Sequence, residues 1–178
     1  DIGDYGDNHV MDLNEDISQK YSFKSEYDLV TNIGVSEHLI NQFMFFKNMH
    51  NTTKVGGYSL HILPAQGFQN HGFFNYQPRF FQDLAAANGY KIIELFLAER
   101  DRKILDLQKP TKFATSFYFA THVLTKNSQS NILVVALLQK VRSEAFATPL
   151  QGKYVGDITV DAEHSRYIQS KPIDPSTV

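Results

Sequence analysis

Apolar and polar positions change rhythm several times along the chain, and the rhythm outlines alternating strands and helices. Tyr27-Asp28-Leu29-Val30-Thr31-Asn32-Ile33 is β-branched and apolar, bounded by charge on one side and Gly34 on the other, and predicts a buried strand. Ser36-Glu37 then supplies an N-cap and an acidic first turn. The apolar set Leu39, Ile40, Phe43, Phe46 and Met49 follows at helical spacing, which leaves Phe45 on the opposite face as a candidate partner contact. Val55-Gly56-Gly57 reads as a tight turn, and Tyr58 to Leu63 as a strand closed by Pro64. A long loop from Ala65 to Gln77 leads to Pro78, which suits the first turn of a helix through Phe80, Phe81, Leu84 and Ala85, stopped by Asn88-Gly89. Tyr90 to Leu97 and Ile132 to Gln139 read as further strands, and Ala114 as the start of a helix. His9-Val10-Met11 is a shorter strand candidate ended by Asp12-Leu13-Asn14.

Strands separated by helical patterns predict an α/β fold with a mostly parallel sheet, and the long segment before the last strand allows a hairpin-like final pair. The predicted organisation is one α/β domain over 1–141 and a polar C-terminal arm over 142–178. The 178 residues, 42% of them hydrophobic, are enough for one sizeable core and not comfortably for two. A net charge of -2 offers no basic excess for a phosphate backbone, so nucleic acid is not the expected partner. With no cysteine, disulfides, zinc ribbons and thiol nucleophiles are excluded together, which fits a cytoplasmic protein. The longest apolar run, Ile132 to Leu138, is far below the roughly 20 residues a membrane helix needs. No membrane partner is therefore expected, and the sequence is silent on oligomeric state.

Candidate chemistry concentrates after the predicted strands, because ligands of open α/β sheets bind beyond the carboxyl ends of the strands. Glu37 and His38 follow the strand that ends near Ile33, and Gly34 between them permits close backbone approach to a ligand. A histidine of near-neutral pKa can accept a proton from a hydroxyl or an amine. The plainer account is that Glu37 answers the positive end of a helix and His38 bonds a neighbouring loop. His71 lies in the long loop among Phe73, Phe74 and Tyr76, a placement that suits a binding loop or a core filled by the rings. His61, mid-strand, reads as a satisfied buried histidine. The spacing of His38, His50, His61 and His71 matches no metal-ligand motif, so no metal is expected.

Taken in order, Asp12-Leu13-Asn14, Tyr27 to Asn32, Ser36-Glu37-His38 and Lys54-Val55-Gly56-Gly57-Tyr58 resemble the class I S-adenosylmethionine-dependent methyltransferases. In that family a strand of the form F/Y-D-L/V-V leads into E-H, and the next strand follows a K-P-G-G turn, here with valine for proline. His71-Gly72-Phe73-Phe74-Asn75-Tyr76-Gln77-Pro78 and Ala87-Asn88-Gly89-Tyr90 look like an uncharacterised bacterial subgroup. The resemblance covers about residues 1–98 and the strand near 132–139. It implies a Rossmann-like sheet with an antiparallel last strand, S-adenosylmethionine as cofactor, and methyl transfer to an oxygen or nitrogen of a small molecule or saccharide. It further implies ribose contacts from Asp1 or Asp4, adenine contacts from Asp12 and Leu13, and a sulfonium end near Asn32 and Gly34. Glu37, His38 and His71 are the implied catalytic side chains. The family's first strand and glycine-rich loop have no counterpart, and the chain opens Asp1-Ile2-Gly3; the expectation is a start inside a longer product. A non-catalytic domain that keeps this fold as a binding or scaffold module is the alternative.

Overall fold

The computed structural model describes residues 9–24, 26–99 and 131–151. Asp1, Asp4, the helix expected from Ala114 and the arm beyond Gln151 lie outside these residues.

Asp16 opens a single helical turn, α1 (Ile17–Lys20), by accepting from the backbone N–H groups of Ser18 and Gln19. Strand β1 (Tyr27–Ile33) leads through a 3-10 turn (Ser36–His38) into helix α2 (Gln42–Thr52). Strand β2 (Thr53–Gln66) follows directly, then helix α3 (Pro78–Asn88), strand β3 (Lys91–Glu99) and strand β4 (Ile132–Gln139). Among the described residues the sheet has four strands in the order β1-β2-β4-β3. β1 and β2 pair in parallel, while β4 runs antiparallel to both β2 and β3. Three strands thus share one direction and the last opposes them, as expected. Insertion of β4 between β2 and β3 nevertheless leaves one parallel pair, so the sheet is mixed rather than mostly parallel in its pairing.

Alternation along β4 explains its central place: Ile132, Val134, Ala136 and Leu138 are all buried on one face. They meet Phe45, Phe46 and Met49 of α2 and Phe81, Leu84 and Ala85 of α3 in one contiguous core. α3 starts with Pro78 in its first turn and stops where Gly89 adopts φ 63°, as the sequence predicts.

Five expectations need correction. The strand over Tyr27–Ile33 forms, but it lies at one edge of the described sheet and is largely exposed, with Asn32 its one buried residue, rather than buried. His9 to Met11 forms no strand. The helix expected from Ser36 breaks after one 3-10 turn and restarts at Gln42, where the Asn41 side chain caps it by accepting from the Met44 N–H. The break rotates the apolar set: Phe45 and Phe46 are buried, whereas Phe43 and Ile40 are exposed, so Phe45 is a core residue and no partner contact. Val55-Gly56-Gly57 is not a turn between elements but a bulge inside β2. The partners of β1 jump there from Thr53 to Tyr58, with Gly56 at φ 86°.

The segment after β4 packs over the far ends of α2 and α3. Lys140 reaches the carbonyls of His50 and Thr53, and Ala147 exchanges two hydrogen bonds with the side chain of Asn88. No helix among the described residues is long and apolar enough to cross a membrane.

Candidate functional site

The carboxyl ends of β1 and β2, the parallel pair, lie side by side, and each is followed by one of the candidate histidines. The turn after β1 is built by Asn32. Its side-chain carbonyl accepts from the Ser36 N–H, while its amide donates to Ser36 Oγ and approaches His61 Nδ1 at 3.2 Å. Asn32 is 0% exposed and its polar atoms are taken up within the fold. Its side chain positions the turn that carries Gly34 and Glu37. His61 is buried as expected, and burial pulls its pKa down to about 3.

Glu37 follows in the 3-10 turn and is 1% exposed. Its backbone carbonyl accepts from the N–H groups of Phe73 (2.7 Å) and Phe74 (3.3 Å), which pins the β2–α3 loop to the end of β1. Gly72 makes that docking possible. A Cβ at this position would lie 2.9 Å from both Cγ and the carbonyl oxygen of Glu37, closer than a side chain tolerates. Below the loop, Tyr76 donates through its hydroxyl to Gln42 and through its N–H to the Pro64 carbonyl. Gly34, at φ 65°, is the other bare position, where a Cβ would meet Glu37 Oε1 at 3.5 Å.

The consequence is a three-residue cluster. His71 Nε2 lies 3.4 Å and His38 Nε2 3.9 Å from Glu37 Oε1, and the two imidazole rings meet edge to face with centroids 4.9 Å apart. Both histidines are about half exposed, whereas the carboxylate between them is enclosed. Neither carboxylate oxygen has a hydrogen-bond partner among the described residues. A buried carboxylate left in that state costs several kcal/mol relative to a satisfied one, so it marks a position held for something other than stability. Chemically the cluster offers two imidazoles and an enclosed carboxyl group to a proton or a cation.

The remaining candidates fall elsewhere. Asp12 accepts from the backbone and side chain of Asn14, which hold its carboxyl below the usual range. Leu13 packs partly buried against the core. Asn14 in turn bonds Asn41 at the start of α2, so this segment rests on α2. Among the described residues no hydrogen bond or ring contact joins Asp12 to the Glu37 cluster.

Sequence reasoning missed a second polar group, at the other end of α2. His50 is buried against Tyr90, with Nε2 2.8 Å from the Glu144 carbonyl and Nδ1 2.5 Å from the Tyr90 hydroxyl. Burial, reinforced by the Lys140 cation, brings the His50 pKa down to about 4. These partners are 40 to 94 residues apart, and no motif connects them.

The chain matches no protein-family model and no curated protein. Solved structures with a similar arrangement include the O-methyltransferase from a trans-AT PKS multienzyme of Brevibacillus brevis, determined in complex with S-adenosyl-L-homocysteine. It is 19% identical with a TM-score of 0.44, over 74% of this chain and 48% of that one. The O-methyltransferase StiE O-MT, residues 961–1257, is 16% identical with a TM-score of 0.41, over 79% of this chain and 54% of that one. This chain therefore spans about half the length of these structures. The likeness is distant and one of partial fold.

Proposed function

We propose that the chain carries the acceptor end of an S-adenosylmethionine-dependent methyltransferase, moving a methyl group to an oxygen or nitrogen of a small molecule or saccharide. The observation that carries this reading is the Glu37–His71–His38 cluster at the carboxyl ends of the parallel strands, where open α/β sheets bind ligands. The order of motifs in the sequence agrees with it.

Methyl transfer by direct displacement needs alignment of donor and acceptor and, for a weakly acidic acceptor, a proton sink. Bound S-adenosylmethionine supplies an electrophilic methyl group on a positive sulfur. Of the described residues, Gly34 fits such a ligand, because its bare, left-handed backbone leaves room beside Glu37 that a side chain would fill. Leu13 and Asp12 are the remaining candidates for its adenine end. The chain's own contribution is the proton. His71 Nε2 stands 3.4 Å from Glu37 Oε1; a small rotation of the half-exposed ring on ligand binding brings an Nε2–H onto that oxygen and leaves the Nδ1 lone pair to accept the acceptor's proton. The resulting imidazolium is stabilised by the carboxylate, and the closed loop at Gly72 holds the pair in register. His38 stands on the same oxygen and can take either the base or the positioning role.

Radiolabelled methyl transfer by the full polypeptide, surveyed over hydroxylated and aminated small molecules and saccharides, tests this reading. Transfer that falls by two or more orders of magnitude in His71→Ala or His38→Ala supports it. Transfer unaffected by both substitutions, or no binding of the donor or its demethylated product by calorimetry, contradicts it; the second result favours a binding or scaffold module.

A further inference from the structure

We infer that Glu37, His38 and His71 form a binding site for a borderline divalent cation of the zinc type. The inference goes beyond methyl transfer and does not rest on it.

Three side chains each present one ligand atom, and these atoms all lie within 4.8 Å of one another. Ligands around a tetrahedral zinc at about 2.0–2.2 Å sit roughly 3.4 Å apart. The separation of Glu37 Oε1 from His71 Nε2 is already 3.4 Å; His38 Nε2, at 3.9 Å from the same oxygen, must close by about half an ångström, and the two imidazoles, whose ligand atoms lie within 4.8 Å of each other, must draw together to the same spacing. Half-exposed imidazoles have room for such a movement, whereas Glu37, enclosed and clamped through its carbonyl, does not. The anchor is therefore the rigid member and the two closing ligands are the mobile ones.

The second observation is the carboxylate itself. Both its oxygens are buried without a hydrogen bond among the described residues, although two imidazole nitrogens lie within 4 Å. An imidazolium pair would satisfy the charge only by turning an N–H onto the carboxylate, and neither contact has hydrogen-bond geometry. A cation placed between the three atoms meets the carboxylate and both lone pairs together.

Two imidazoles and one carboxylate suit zinc, cobalt or ferrous iron, while magnesium and calcium prefer all-oxygen sets. Three protein ligands with the imidazoles facing solvent leave at least one coordination position open, as in catalytic rather than structural zinc sites. An oxygen bound there, from water or an alcohol, would be acidified. The spacing in the sequence hides the set, because His71 arrives from a loop 33 positions beyond His38 through the Glu37–Phe73 hydrogen bond.

The test is titration of the metal-stripped full chain with Co(II), read by its visible absorption, and with Zn(II), read by calorimetry, both without a methyl donor. The expected result is one ion per chain with visible bands of a four- or five-coordinate cobalt site, and affinity reduced at least 10-fold in each of His38→Ala and His71→Ala. His38 and His71 are half exposed, so both variants are expected to fold, which circular dichroism checks. No saturable binding up to millimolar metal overturns the inference, as does binding of equal affinity in both variants, which would place the ion elsewhere. Methyl transfer measured separately, in chelator, leaves the methyltransferase reading to stand or fall on its own.

Discussion

The two ends of helix α2 each bury ionisable side chains, and they treat them in opposite ways. At its C-terminal end His50, Tyr90 and Lys140 form a closed set. The imidazole contacts a hydroxyl and a carbonyl, and the lysine contacts two carbonyls at the helix terminus, where a positive charge is favoured. At its N-terminal end Glu37 is more deeply buried than any of these, yet among the described residues its carboxylate makes no hydrogen bond and its neighbours include two half-exposed imidazoles. Similar chemical ingredients are spent on stability at one end and held in reserve at the other. The difference lies in satisfaction: a network whose partners are complete has no valence left for a ligand, whereas an incomplete one does.

Substitutions at the two ends should therefore separate activity from stability. The largest expected effect is on catalysis. His71→Ala is expected to slow methyl transfer by about 10²–10⁴-fold while shifting the urea midpoint little, since the ring is half exposed. Gly72→Ala reaches the same site indirectly. Its Cβ would meet Glu37 at 2.9 Å, so the loop must lift, and a loss of transfer together with about 1–3 kcal/mol of stability is expected. At the other end Lys140→Met should leave transfer intact but cost about 1–3 kcal/mol by urea unfolding, because the carbonyls of His50 and Thr53 lose their donor.

Acid sharpens the contrast. His50 has a folded pKa of about 4 and His61 of about 3, both below the ordinary 6.5. The unfolded chain therefore binds more protons as pH falls below 6.5. The stability these neutral rings contribute is fully present above pH 6.5 and is lost progressively toward pH 4, with a further loss toward pH 3 from His61. A decline of about 5 kcal/mol between pH 7 and pH 4.5, roughly half from each ring, is expected in urea melts, and His50→Asn should about halve it.

Much of this was legible in the sequence where one element could be read alone. The β-branched run at Tyr27 to Ile33, Pro78 at the start of α3 and the αL glycine at its end each follow from local chemistry. The alternating β4 was equally plain. What escaped depended on contacts across the fold. The helix expected from Ser36 failed because Asn32 draws Ser36 into a tight turn and Asn41 offers a better cap, a choice between two plausible starts. Glu37, His38 and His71 could be named as candidates from their places after strands. Their convergence could not, because it depends on a loop held by one backbone carbonyl and on a glycine whose only demand is space. The group around His50 had no local signature at all.

The most direct test of the central claim, that the Glu37 carboxylate is kept for function at some expense to the fold, is the unfolding free energy of Glu37→Gln. It is best measured in urea with chelator present, where no cation competes. A neutral amide of the same shape relieves an unpaired buried charge, so the variant should equal or exceed the parent chain in stability, by about 1 kcal/mol. A loss of 2 kcal/mol or more would show that the carboxylate holds the fold together and would contradict the account.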